Sequence, residues 1–255
     1  MVTRLTTARP RGGRWPGVLA GLAILLIAAA TLMMAGAGPA YRGELISLGE
    51  AFNLLRNGVY AAGAAVAVSI VTLLFSMLAR RSRPALIATL VIVAAAALLY
   101  MPWQHWQRAQ QVPAIHDITT DTQNPPAFEA LADAREAAPN AVDYPGGATA
   151  QQQQAAYPDI KPLVLDEAPQ TVLAAAQAEA EEAGWRIARI TDNHIEATAT
   201  TRWFGFEDDV VIRLTEIENG VQVDMRSASR LGASDVGTNA ARIKQFLTAL
   251  EARLE

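Results

Sequence analysis

VVIRLTEIENGVQVDMRS, residues 210–227, reads as two β-strands joined by a tight turn. Successive side chains of a strand point to opposite faces. Val221, Val223 and Met225 therefore share one face, and Gln222, Asp224 and Arg226 share the other. Asn219-Gly220 is the preferred pair for a two-residue hairpin turn whose central residues both need positive φ. The pattern predicts antiparallel strands over 210–217 and 221–227.

Working outward, residues 185–190 and 195–201 are two further strand candidates, so four strands lie in succession. A helix over Pro169–Ala183, stopped by Gly184, precedes them, and the short apolar run Leu163–Leu165 precedes that helix. A last helix starts near Thr238 and carries Ile243, Phe246, Leu247, Leu250 and Leu254 on one stripe. The order strand, helix, four antiparallel strands, helix predicts an α+β two-layer domain over residues 162–255, with the sheet packed under the helices.

Two stretches of this domain carry candidate chemistry. The first is Trp203-Phe204-Gly205-Phe206 followed by Glu207, Asp208 and Asp209, between the second and third of the four strands. It reads either as a hairpin tip whose rings fold back on the sheet or as an exposed aromatic anchor for a partner or a membrane surface. Alternation places Trp203 and Phe206 on the packed side and leaves Phe204 more exposed. The three carboxylates lack the alternating ligands of a calcium loop, so ion pairs with Arg202 or Arg230 are expected and no metal. The second stretch is RSASRLGASDVGTNAARI, residues 226–243. Ser234, Asp235 or Thr238 can cap the last helix. Alternatively, Arg230, Ser234, Asp235, Asn239 and Arg242 can surround an anion or headgroup at its N-terminus.

The rest of the chain is different in kind. Residues 1–100 carry nine Arg against Glu44 and Glu50, a net +7, whereas residues 101–255 carry a net −11. Uncharged runs at 17–38, 58–79 and 84–101 are each long enough for a transmembrane helix, the last only just. Arg4, Arg9, Arg11 and Arg14 before the first run, and Arg80, Arg81 and Arg83 before the third, belong on the cytoplasmic side. That arrangement predicts a membrane protein whose N-terminus is cytoplasmic and whose C-terminal domain is extracytoplasmic. Trp15 falls at the inner boundary, and Tyr41, Tyr60, Tyr100, Trp103 and Trp106 at the outer one. The first run followed by Ala35-Gly36-Ala37 also fits a cleaved secretory signal, which would leave the location of the domain unchanged. No ionisable side chain lies within the spans, which points to an anchor, residues 1–101, rather than a transporter. Gly17 with Gly21, and Ala61 with Ala65, have the spacing of close helix contacts. Leu45, Leu48, Phe52 and Leu55 suit a short helix lying on the membrane surface.

Residues 102–161 hold seven prolines and the run Gln151–Gln154, which reads as an extended connector. Within it, HDITTDTQNPPAF, residues 116–128, mixes β-branched residues with turn formers and suits an ordered strap along the domain.

IHDITTDTQNPPAF, AYPDI, GW followed by IEATATTRWFGFEDDVVIRL, and VDMRSASRLGASDVGTNAARIKQFL together resemble the bacterial and plastid family called domain of unknown function 1499, over roughly residues 112–250. The resemblance implies N-terminal apolar spans and no established reaction, ligand or cofactor. The strand order also resembles the helix-grip modules of outer-membrane assembly lipoproteins, which implies fold and not function.

The anionic back half argues against a nucleic-acid partner, and the absence of cysteine excludes disulfides and thiolate chemistry. His105, His116 and His194 are the only histidines, and no hydrolase or phosphate-loop motif occurs. The expectation is an envelope interaction or accessory module whose partners are membrane lipids and other envelope proteins, with no catalytic residues. The alternatives are a binder of a small amphiphile, lipid headgroup or anion, favoured by an apolar cavity with Arg230 or Arg242 at its mouth, and a hydrolase, favoured by Ser or Asp paired with His116 or His194.

Overall fold

The computed structural model describes residues 13–255, in two compact units, one ending at Gln104 and one running from His105 to Glu255. The first unit is built from α1 (Trp15–Arg42), α2 (Leu48–Leu78) and most of α3 (Ser82–Gln111). All three helices are long and apolar enough to cross a membrane, with mean hydropathy of 2.5, 2.2 and 2.3. Helices α1 and α2 pack through small residues. Ala23, Ala30 and Ala37 are fully buried on α1, and Ala51, Ala62, Ala65, Ser69 and Thr72 on α2. At Gly58 a Cβ would stand 2.4 Å from Met34 Cγ and 3.2 Å from the Ala30 carbonyl oxygen, so glycine sets how closely these helices approach. Gly17 and Gly21, expected at such a contact, have no atom within 4 Å of the corresponding position. Helix α3 joins through Val91, which packs with Ala23 and Ala65.

Two boundaries differ from expectation. The segment from Leu48 to Leu55 is no separate surface helix but the opening of α2. Ser47 and Glu50 form a reciprocal capping box that starts the helix at Leu48, and no proline interrupts the chain from there to Leu78. Helix α3 also continues beyond Met101. Pro102 removes one i→i−4 bond but keeps a helical φ, and the turns carrying Trp103 and Trp106 follow without a break.

The second unit contains β1 (Asp117–Thr119), α4 (Ala132–Glu136), α5 (Gly147–Ala156), β2 (Leu163–Leu165), α6 (Pro169–Glu182), β3 (Arg186–Ile190), β4 (His194–Thr200), β5 (Glu207–Ile217), β6 (Gly220–Ser229) and α7 (Thr238–Leu254). The sheet is antiparallel in the order β1-β6-β5-β4-β3, and β2 pairs with the opposite end of β6 from β1. The β5–β6 turn sits one residue earlier than the Asn219-Gly220 pattern implied. Ile217 faces Gly220 across the ladder, so Glu218 and Asn219 form the turn, and of Glu218, Asn219 and Gly220 only Gly220 has positive φ, 114°. Gly220 is required for a second reason: a Cβ there would lie 2.0 Å from the Leu165 carbonyl oxygen of β2.

One face of the sheet meets α6 and α7. Ile195, Val210, Ile212, Leu214, Val223 and Met225 pack there against Val172 and Ala176 of α6 and Ile243, Phe246 and Leu250 of α7. Trp185 stacks on Phe246 at 5.2 Å between ring centroids. The opposite face is covered as well, by residues that composition marks as a connector. Phe128 and Leu131 pack on Val211 of β5 and Ala228 of β6. The glutamine run is helical, in α5, and Gln153 is buried. Its amide accepts from Thr119 N at 3.0 Å and donates to Thr119 O at 2.6 Å, so a side chain pairs the backbone of β1. Residues 116–156 therefore form a strap across the second face, anchored at one end as a strand.

Candidate functional site

Glu207, Asp208 and Asp209 lie in a strand and not in a loop, because β5 begins at Glu207. Strand alternation then sends Glu207 and Asp209 to the strap face and Asp208 to the helix face. The three carboxylates therefore do not converge on one site.

On the strap face, Asp209 is fully buried and accepts from two guanidiniums. Arg230 grips it with two bonds of 2.8 Å, Nε to Oδ2 and Nη2 to Oδ1, and also pairs with Glu207. Arg135 of α4 reaches Oδ2 at 3.2 Å, and the Thr198 hydroxyl donates to Oδ1 at 3.0 Å. The Asp209 bonds raise the pKa of Arg230, while burial lowers that of Arg135. Beside them Arg226 holds Asp117 through a second fork, Nε to Oδ1 at 3.0 Å and Nη2 to Oδ2 at 2.8 Å. Its remaining N–H groups donate to the carbonyls of Pro126 and Val142, and its plane lies over the Phe128 ring at 4.6 Å. Burial and the neighbouring Asp117 push the Tyr144 hydroxyl up to about 12. Arg135, Arg226 and Arg230 are balanced by Asp117, Asp209 and Glu207, so this cluster is neutral, while Arg135 Nε and the Tyr144 hydroxyl are buried without a hydrogen-bond partner.

On the helix face, Asp208 pairs with Arg242 of α7 at 2.6 Å. Arg242 also donates to the Ser227 hydroxyl at 2.9 Å and to Asn239. Asn239 is fully buried; its Nδ2 donates to the Ser229 hydroxyl and the His116 carbonyl, both at 3.0 Å. Asp235 caps α7 by accepting from Gly237 N and Asn239 N at 2.8 Å each. Burial raises the Asp235 pKa even though these backbone bonds favour the charged form. Ser234 accepts only from Val236 N at 3.2 Å, within the same turn. The N-terminus of α7 thus receives the chain's own carboxylate.

The aromatic segment is a hairpin tip. Thr201 O accepts from Gly205 N, the Thr201 hydroxyl accepts from Phe206 N at 2.8 Å, and Gly205 takes φ of 73°. Phe204 stacks on Phe206 at 4.8 Å and Trp203 meets Phe204 edge-on at 5.0 Å. Trp203 is the exposed member at 43%, the reverse of the expected order, because the turn brings Phe204 back over Phe206 and alternation does not hold there. Arg202 beside it is exposed.

Two clefts open on this unit. One, of about 430 Å³, is lined by residues including Ile115, His116, Asn140, Thr149 and Gly232. The other, of about 350 Å³, lies along α7 between Asp159–Leu163 and Lys244–Glu251. Neither is lined by Arg230 or Arg242. Among the described residues no hydrogen bond joins either the His116 or the His194 imidazole to a serine or aspartate, and His116 Nδ1 and His194 Nε2 are buried without a partner.

Residues 117–250 match the family described as Protein of unknown function (DUF1499). The chain belongs to this family. No match is found among curated proteins. The DUF1499 match begins at Asp117, the residue that Arg226 grips, so it includes the strap as well as the sheet and helices.

Sequence reasoning missed several residues of this DUF1499 region. The sequence assigns no role to Arg135 or Glu196 and places Asp117 only within the strap, yet all three are buried. Glu196 lies on β4 two residues from His194, on the same face, and its carboxylate comes close to the side chains of His194 and Glu129. The His-x-Glu alternation was the one available signal.

Proposed function

We propose that the chain is a membrane-anchored envelope protein whose DUF1499 domain acts as an interaction or accessory module. The observation that carries this reading is the closure of the domain. Both faces of its sheet are covered, its buried guanidiniums are matched by carboxylates, and its core under α6 and α7 is built of buried apolar side chains. A binder of amphiphiles needs a cavity beside a cation, and Arg230 and Arg242 instead direct their N–H groups into the domain's own carboxylates. The arginines before the first and third helices support an N-terminus in the cytoplasm of a bacterium and a domain outside its inner membrane. A reporter active only outside the cytoplasm should give signal when fused after Pro113 and none when fused after Arg83; the opposite pattern would overturn this orientation. Crosslinking in native membranes followed by mass spectrometry should recover protein neighbours that disappear when residues 105–255 are deleted. Recovery of lipid alone would contradict the module reading.

A further inference from the structure

We propose that Glu129, His194 and Glu196 form a site for one divalent transition-metal cation, of the class bound by mixed imidazole and carboxylate ligands such as zinc or manganese. One ligand atom from each of the three lies within 4.8 Å of the other two. Strand alternation fixes His194 and Glu196 on one face of β4, opposite Arg213 and Val211 of β5, and Glu129 comes from the strap. The site therefore closes a contact between two segments distant in sequence.

One of the three ligands, Glu196, is held in advance. Glu196 is buried, and its Oε1 accepts from Glu129 N at 3.1 Å and Ala130 N at 2.9 Å while its Oε2 accepts from Leu131 N at 3.0 Å. A carboxylate has about four lone-pair positions, so one remains for a cation. His194 Nε2 is buried and has no hydrogen-bond partner, an arrangement that leaves a polar atom's desolvation uncompensated unless something accepts its lone pair.

The donor set decides the ligand class. One nitrogen and two oxygens suit zinc, manganese and their neighbours, whereas calcium takes six to eight oxygens. Ligands of a tetrahedral cation lie about 3.4 Å apart, so the group must close by about an ångström. Glu129 can supply that movement, since its side chain is 57% exposed and, among the described residues, its ion pair is with exposed Arg189, at 3.1 Å. Arg189 is then the competitor that the cation displaces. Arg213, the other nearby guanidinium, is already matched by Asp121 at 3.4 Å and Asp224 at 3.0 Å. Three protein ligands leave a further coordination position for water on the exposed side.

The test uses the full chain in detergent, stripped of metal by chelator and titrated separately with zinc, manganese and cobalt. Metal content is read after equilibrium dialysis and melting temperature is followed in parallel. We expect one cation per chain and a raised melting temperature. Binding should weaken at least about tenfold in each of Glu129→Gln and His194→Gln, and tighten in Arg189→Gln. Glu129 is exposed, so Glu129→Gln should melt like the parent chain in the absence of metal and report ligation alone. The proposal is overturned if none of the three cations binds saturably at millimolar concentration, or if binding survives unchanged in both ligand variants.

Discussion

The two faces of the sheet are buried by different chemistry. Beneath α6 and α7 the contact is mainly aliphatic and aromatic, with the Asp208–Arg242–Asn239 network confined to the start of α7, and apolar side chains of similar shape preserve most of it. Beneath the strap the contact is a lattice of forks and backbone bonds, in which Asp117, Asp209, Glu196, Arg135 and Arg226 are almost wholly removed from water. Taking such groups out of water is favourable only when every charge finds a partner in good geometry. The apolar face therefore supplies most of the driving force for folding, whereas the charged face selects one placement for the strap. A slipped strap would bury Arg226 without Asp117.

That contrast can be broken experimentally. Removing one member of a buried pair should have the largest effect: Asp117→Ala leaves the Arg226 guanidinium without its counter-charge and should cost about 3–5 kcal/mol in denaturant unfolding. A conservative change on the other face should be far milder. Ile212→Val, at a fully buried position of β5, should cost about 0.5–1.5 kcal/mol. If Ile212→Val proved as costly as Asp117→Ala, the faces would not differ in tolerance.

A pH effect should be smaller still. Burial lowers the His194 pKa below 6.5, so the folded form disfavours the imidazolium. Stability from this group is fully present above the unfolded value of 6.5 and is lost as pH falls through the folded value. The parent chain should lose melting temperature on acidification below pH 6.5 more steeply than His194→Gln. Identical slopes would mean that His194 does not titrate with folding.

Much of this fold is legible because it rests on local periodicity. Leu163–Leu165, Pro169–Ala183, the four strands and the helix from Thr238 all follow from alternation, helical stripes and stop signals, and they fall within a few residues of the elements observed. The three long helices follow from uncharged length alone. The charged face was not legible, because partner choice there is set by tertiary distance. Arg226 and Asp117 are 109 residues apart in sequence and Arg135 and Asp209 are 74 apart, so no spacing rule relates them. The expectation that Arg230 engages a carboxylate of 207–209 is met at Asp209 and Glu207, while Asp208 turns to Arg242, which the sequence offers only as a member of an alternative anion site. The glutamine run misled for a related reason. A polar run reads as solvated, yet α5 turns Gln153 inward onto the backbone of β1.

The account's central claim is that the strap is held by matched burial of charge, and a double-mutant cycle on Arg226 and Asp117 tests it most directly. Arg226→Met and Asp117→Leu should each destabilise the chain by about 3–5 kcal/mol, because each leaves the other charge buried alone. The double variant removes both charges and fills the space with apolar atoms, so it should be more stable than either single variant, with a coupling energy above about 1 kcal/mol. Single effects that simply add, leaving the double variant the least stable of the three, would contradict the claim.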